Sequence, residues 1–268
     1  MVTFPNAKIN IGLSITEKRP DGFHNLESCF YPVGWCDVLE ILPASTLSFK
    51  STGISIPGNL ETNLCLKAYH LVKQDFNIPP VMIHLHKVIP IGAGLGGGSA
   101  DCAFTIKTLN YLFELHLTMK QMENYARKLG SDCAFFIQNT PKYCIGKGDE
   151  FSEITLDLSG KYIVLVNPNI HISTAEAYSG VKPMKSEIDL REILQKPLNQ
   201  WVNVVKNSFE NHILPKYPTI SNIKNQLYKY GADYASMTGS GSTVFGIFEQ
   251  EIDLKEAFAE YAVWQGSL

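Results

Sequence analysis

Five glycines fall within twelve residues in the run Pro90-Ile91-Gly92-Ala93-Gly94-Leu95-Gly96-Gly97-Gly98-Ser99-Ala100-Asp101. Glycine leaves room for a ligand close to the main chain and reaches dihedrals that other residues avoid. Where a helix follows, its first N–H groups lack internal partners and, with the helix dipole, favour an anion such as a phosphate. A glycine-rich turn is the plainer alternative, but a turn needs only one or two glycines. Two other places carry groups able to do chemistry. Asp132, in Gly130-Ser131-Asp132-Cys133-Ala134-Phe135-Phe136, is either a helix cap or a carboxylate that the dipole keeps ionised and ready to take a proton. Arg19-Pro20-Asp21-Gly22-Phe23-His24 is a turn by composition and sets an aromatic ring beside an imidazole. Phe23 can stack on a base whose polar edge His24 reaches, or it can anchor the loop in the core beside a solvated histidine.

The elements that must position these groups follow from periodicity. Val81, Ile83, Leu85 and Ile89 alternate, so residues 81–89 read as a strand leading into the glycine run. Asp101 to Leu115 lacks Gly and Pro and has apolar residues at helical steps, which predicts the helix that follows. Ala7, Ile9, Ile11, Leu13 and Ile15 share one strand face, leaving Lys8 and Asn10 on the other. Without further context, Lys8 on such a strand faces water. Residues 30–42 continue as strand, and residues 61–68 open a helix with Thr62 or Asn63 as cap. Thr118 to Leu129 is helical with Gly130 as its stop, and residues 146–150 form a turn between strands. The first domain closes near residue 155. Beyond it come a buried strand at 162–166 and a short helix capped by Ser173 or Thr174. Helical patterns cut by Pro197, Pro215 and Pro218 follow over 183–231, then two strands joined by a small-residue turn over 237–248. The tail from Asp253 reads as a helix and a short edge strand.

Composition narrows the class. The chain has 268 residues, 45% hydrophobic and 18% charged, as in globular proteins with ample core. A net charge of −3 and the lack of a dense Lys/Arg run argue against nucleic acid as partner. No apolar run nears the ~20 residues of a membrane span. No basic segment followed by an apolar core opens the chain, which points to a cytoplasmic protein. Cys29, Cys36, Cys65, Cys102, Cys133 and Cys144 form no C-x-x-C pair and read as reduced thiols.

Three familiar phosphate loops fail on context. Gly92, Gly94 and Gly97 satisfy G-x-G-x-x-G, but no second strand ending in an acidic residue follows at the right distance. G-x-x-x-x-G-K-[ST] nearly fits, yet Gly98 holds the lysine position. The H-R-D and D-F-G runs of protein kinases do not occur. The run P-x-G-A-G-L-G-G-G-S-A-D instead resembles the phosphate loop of the GHMP kinases, the family of galactokinase and of the homoserine, mevalonate and phosphomevalonate kinases.

That resemblance extends from Lys8 to Ser242. A-K-I-N at residues 7–10 resembles the family's first motif and implies that Lys8 and Asn10 face the reacting phosphate. Pro90, Gly92, Ala93, Gly94, Leu95, Gly96, Gly97, Gly98 and Ser99 would cradle the phosphates of ATP, with Mg²⁺ bridging them and Ser99 its candidate ligand by analogy. Asp132 matches the catalytic aspartate of G-S-D-x-x-F-F, with Lys8 keeping it ionised. Gly239 and Ser240 match the third motif, G-S-G-S, which lines the phosphates. Asn63 would lie near the adenine, although a capping role accounts for it equally well. R-P-D-G-[YF]-H is similar to the loop of the branch whose small-molecule substrate joins a methylerythritol to cytidine diphosphate. It implies that Phe23 stacks on cytosine, that His24 hydrogen-bonds it and that Tyr178 closes from the opposite side. Phe23 stands where Tyr is common, which keeps the ring and loses a hydroxyl.

The implied protein is a two-domain α+β kinase. Residues 1–155 would resemble the second domain of ribosomal protein S5, residues 156–268 a ferredoxin-like domain, and the active site would lie in the cleft between them. It would transfer the γ-phosphoryl of ATP to a tertiary alcohol in the non-mevalonate isoprenoid route. A mevalonate- or homoserine-type kinase would leave Phe23 and His24 unexplained, and a non-catalytic ligand sensor would have no need of Lys8, Asp132 and the loop together.

Overall fold

The computed structural model describes residues 1–186 and 188–268; Glu187, within the stretch of helical patterns, lies outside them. In chain order the strands are β1 (Val2–Thr3), β2 (Asn6–Lys18), β3 (His24–Cys36), β4 (Val38–Pro43), β5 (Ser48–Gly53), β6 (Val81–Lys87), β7 (Lys142–Ile145), β8 (Glu150–Glu153), β9 (Tyr162–Asn167), β10 (Tyr234–Met237), β11 (Val244–Phe248) and β12 (Ala262–Ser267). The helices are α1 (Leu64–Asp75), α2 (Gly97–Leu112), α3 (Met119–Arg127), α4 (Phe135–Gln138), α5 (Thr174–Ser179), α6 (Leu190–Ile193), α7 (Glu210–Lys216) and α8 (Pro218–Lys229). The chain forms two compact units. One takes Met1–Ala7, Trp35–Ile91 and Gly96–Thr140; the other takes Lys8–Gly34, Gly92–Leu95 and Pro141–Leu268.

The first unit is built on a sheet of order β1-β4-β6-β5. β4 runs antiparallel to β6 and β5 parallel to it, so α1 serves as the crossover that a parallel pair requires. β6 buries Val81, Ile83, Leu85 and Lys87 and exposes Met82, so the alternation read from sequence continues one step further, to a lysine. α2 packs against β4 and α1, burying Ile106 and Leu109, while α3 and α4 pack on α2. Thr118 and Gln121 close a capping box at the start of α3.

α2 differs from expectation at both ends. It begins at Gly97 rather than Asp101, so the last glycines of the run are already its first turn. It stops at Leu112, and the chain then leaves the helix with Glu114 and His116 at positive φ.

The second unit holds two antiparallel sheets, β2-β3-β7-β8 and β10-β11-β9-β12. All six residues of β9 are buried, as a strand flanked on both sides by β11 and β12 should be. α8 covers β10 and β11 with Ile220, Ile223 and Leu227. Pro215 does not cut a helix but sits inside α7, and Pro218 opens α8 at the position where its missing N–H costs least. The helix expected after Asp253 is a series of turns over residues 255–260, followed by β12 as the edge strand.

Candidate active site

β2 is buried on both faces from Asn6 to Leu13, and Lys8 and Asn10 are 3% and 2% exposed. The strand pattern taken alone would leave Lys8 in water, and the resemblance would not; the second face of the strand is covered too. A buried ammonium must be compensated, and Lys8 Nζ donates to Asn10 Oδ1 (2.5 Å) and to the Gly94 carbonyl (3.3 Å), 4.7 Å from the centroid of the Phe30 ring. Asn10 Nδ2 donates to Ser28 Oγ (2.9 Å), which donates to the Gly12 carbonyl (2.6 Å). The Lys8 N–H reaches the Leu95 carbonyl at 2.9 Å. Lys8, Asn10, Gly94 and Leu95, far apart in sequence, thus meet in one buried network.

The third motif joins it. Gly94 has φ +79°, and a Cβ there would stand 2.1 Å from the Thr238 carbonyl oxygen, so no side chain fits. A Cβ on Gly239 would lie 3.0 Å from Gly94 Cα, which shows the two glycine segments packed backbone to backbone. The Ala93 carbonyl accepts from the Thr243 N–H at 3.4 Å. Gly92 lies near His171, and Ser240 is half-buried. Asn207, buried and given no role from sequence, ties the motif down: its Nδ2 donates to the Met237 and Gly239 carbonyls (2.7 and 2.9 Å). A single asparagine between helical patterns carries no sequence signal for such a part.

The Arg19–His24 turn holds its shape through Asp21, which pairs with Arg19 and accepts the Phe23 N–H at 3.1 Å. The bond from Arg19 holds the Asp21 carboxyl below its ordinary pKa. Phe23 is 59% exposed, which excludes a core anchor, and Lys147 Nζ sits 5.1 Å from its ring centroid. The His24 ring stacks on Tyr178 with centroids 4.8 Å apart, and Tyr178 meets Phe209 edge-on at 4.9 Å. Ser173 caps α5, which carries Tyr178.

In the first unit, Pro90 is buried and Gly96, at φ +70°, is the left-handed residue from which α2 starts. The turn Gly97-Gly98-Ser99 presents the unpaired N–H groups expected of a phosphate site. A Cβ on Gly97 would meet Lys87 Nζ at 2.9 Å; one on Gly98 would meet nothing. Lys87 belongs to a fully buried cluster that sequence reasoning missed. Its ammonium pairs with Asp37 Oδ2 and with Asp101 Oδ2 (2.8 Å), while Asp37 Oδ1 accepts the N–H groups of Val88 (2.6 Å) and Ile89 (2.9 Å). These bonds link the strand entering the glycine run to the helix leaving it. Burial pushes the Asp101 carboxyl up to about 7, against the opposing pull of Lys87, and its Oδ1 has no hydrogen-bond partner. The signal was present: period two puts residue 87 on the same face as 81, 83, 85 and 89.

Asp132 is half-buried in a 3₁₀ turn, Ser131–Cys133, followed by the four-residue α4. The apolar helix that follows is short, so the dipole argument for this carboxylate has only a turn of helix behind it. Beside it, the neighbouring Cys102 and Ser99 side chains hold the buried Cys133 thiol below its usual pKa. Asn63 does cap α1, its Oδ1 accepting the Cys65 N–H at 2.8 Å. Leu47, Ser48, Phe49, Leu60, Glu61, Leu66 and His70 line a pocket of about 440 Å³ that includes residues on both sides of Asn63.

Two family descriptions match the chain: GHMP kinases N terminal domain over residues 63–139 and GHMP kinases C terminal over residues 186–262. A 4-diphosphocytidyl-2-C-methyl-D-erythritol kinase of Cytophaga hutchinsonii is 55% identical over 249 residues, covering 92% of both chains. One of Bacteroides fragilis is 51% identical, covering 96% of this chain and 97% of the relative. A crystal structure of 4-(cytidine 5'-diphospho)-2C-methyl-D-erythritol kinase superposes with a TM-score of 0.85 at 27% identity, covering 100% and 98% of the two chains. The chain belongs to the 4-diphosphocytidyl-2-C-methyl-D-erythritol kinase family of GHMP kinases and has their α+β fold.

Proposed function

We propose that this protein transfers the γ-phosphoryl of ATP to the 2-hydroxyl of 4-diphosphocytidyl-2-C-methyl-D-erythritol, a step of the non-mevalonate (methylerythritol phosphate) isoprenoid pathway. The observation that carries the reading is the buried ammonium of Lys8, held against the Gly94 carbonyl inside the glycine run. Phosphoryl transfer needs a fixed positive charge and oriented donors more than covalent chemistry, since charge spreads over the oxygens of the transferring group. Lys8 supplies that charge, and the first turn of α2 with the preceding glycines supplies N–H donors to the phosphates of ATP. The acceptor is a tertiary alcohol, hindered and weakly acidic, so positioning and proton removal both matter. Asp132 takes the hydroxyl proton as the oxygen attacks the γ-phosphorus, and Asn10 positions the acceptor.

Mg²⁺, when bound, neutralises charge on the phosphates of ATP. Ser99, at the start of α2, is its candidate protein ligand, since a hydroxyl oxygen suits a hard cation. Among the described residues no three His, Cys, Asp or Glu side chains gather as a metal cage. That donor set fits a cation held mostly by the nucleotide. Asn63 and the adjoining pocket belong with the adenine, and Gly239 and Ser240 with the phosphates. The division at residue 155 falls between the two family matches and is proposed as the boundary of the domains. No described helix is long and apolar enough to cross a membrane, and the enzyme is proposed to act in the cytoplasm without nucleic acid or membrane as partner.

The test is ADP release with Mg²⁺-ATP, comparing the cytidyl substrate with mevalonate and homoserine. Turnover on the cytidyl substrate alone is expected. Turnover on another alcohol would remove the cytosine clamp from the reading, and ATP binding without turnover on any would replace the enzyme by a sensor.

Phe23, His24 and Tyr178 are the proposed cytosine clamp. Base–aromatic stacking is worth about 1–3 kcal/mol, so Phe23→Ala is expected to raise KM for the cytidyl substrate by roughly 5- to 150-fold. KM for ATP should stay near wild type. Equal changes in both constants in steady-state kinetics would argue against stacking.

A further inference from the structure

We infer that Thr238 is a positioning residue for phosphoryl transfer, its hydroxyl joining the strand of Lys8 to the glycine run. The inference rests on the kinase reading above and adds a residue to it. Thr238 is fully buried at the end of β10, and its backbone already closes the turn to β11: its N–H donates to Thr243 (3.0 Å) and its carbonyl accepts from Gly241 (3.0 Å). The hairpin therefore needs nothing from the side chain. The hydroxyl is used elsewhere. It accepts the Asn10 N–H at 3.0 Å and donates to the Gly94 carbonyl at 3.1 Å, with Asn10 Oδ1 a second, longer acceptor at 3.4 Å. One O–H group thus bonds to two segments 228 and 144 residues away in the chain.

The Gly94 carbonyl is also the oxygen that Lys8 Nζ reaches at 3.3 Å. Its two lone pairs are thereby used, one by the cation and one by Thr238. In a trans peptide the C=O and the following N–H point in opposite directions. Fixing the Gly94 carbonyl toward Thr238 and Lys8 turns the Leu95 N–H away from them. That N–H stands between two glycines in the left-handed region, Gly94 at φ +79° and Gly96 at φ +70°, the kind of backbone that gathers N–H groups around an anion. Losing the hydroxyl leaves the Gly94 carbonyl bonded only by the flexible end of Lys8, so the cation and this peptide unit loosen together.

Thr238→Val keeps the shape and removes the hydroxyl; Thr238→Ser keeps the hydroxyl. A misplacement of about an ångström costs on the order of 10²-fold, so kcat for the valine variant is expected to fall by roughly that factor, and the serine variant to recover most of it. Amide hydrogen exchange, which needs no substrate, is measured on the same proteins. Exchange at Asn10 and at residues 93–96 is expected to speed up in the valine variant and to stay slow in the serine variant. If the valine variant turns over like wild type, or serine rescues nothing, or those amides exchange alike in all three proteins, the positioning role is overturned. Exchange differences among the three proteins with no turnover by the wild type would overturn the kinase reading and leave Thr238 as an organiser of the loop.

Discussion

Asp132→Asn is expected to lower kcat by roughly 10²–10⁴-fold, the usual range for removing a positioned general base. The amide matches the carboxylate in shape and hydrogen-bonding reach but cannot accept the proton of the attacking hydroxyl. A tertiary alcohol feels that loss strongly, because its unassisted ionisation lies far above neutral pH. The residue is half-buried on a 3₁₀ turn, and its neighbours Cys133, Phe135 and Phe136 supply the buried contacts, so the variant should fold. KM for ATP is expected to change little, since the loss belongs to the transition state and not to nucleotide binding. Initial rates at saturating substrates decide the matter: turnover within a few-fold of wild type would remove Asp132 from the proton-transfer role.

Lys87→Met is expected to destabilise the fold by about 3–5 kcal/mol, because it strips the cation from a buried cluster and leaves two carboxylates uncompensated. Asp37 and Lys87 are 0% and 3% exposed. A loss of that size is a large share of the roughly 5–15 kcal/mol that holds a domain together. The cluster is also asymmetric. Asp101 has its pKa raised from an ordinary 3.8 to about 7, chiefly by burial. Folding therefore favours its protonated form, a contribution complete below about 3.8 and lost as the pH rises through about 7. Asp101→Asn cannot ionise and should gain stability relative to wild type as the pH goes from about 5 to about 8. Urea unfolding across that range checks both variants. A small, pH-independent effect at either position would mean that the cluster is neither as tightly paired nor as strained as its geometry implies.

Much of the site was legible because its chemistry depends on residue type at short range. Five glycines between a strand and a helix set the expectation of an anion site without any tertiary knowledge, and Arg19 to Gly22 specify a turn. Asn63 and Ser173 cap the helices they precede, as their side chains allow. Where local pattern fell short, the cause was long-range packing. Lys8 on an amphipathic strand pattern alone implies water, and only motif resemblance said otherwise; the Gly94 and Thr238 segments cover that face. Lys87 looked like the end of a strand until Asp37 and Asp101 arrived from 50 residues before it and 14 after it.

By itself, then, the sequence determined the glycine run with its strand and helix, the turn at Arg19 to Gly22 and the family, since each rests on local pattern or on motif order. The tertiary structure alone decided that Lys8 is buried and shares the Gly94 carbonyl with Thr238, that Asn207 holds the third motif, and that a charged triad ties the two ends of the glycine run. The physical reason is the same in each case. A buried charge or hydroxyl needs partners to offset its lost hydration, and those partners come from segments brought together only by folding.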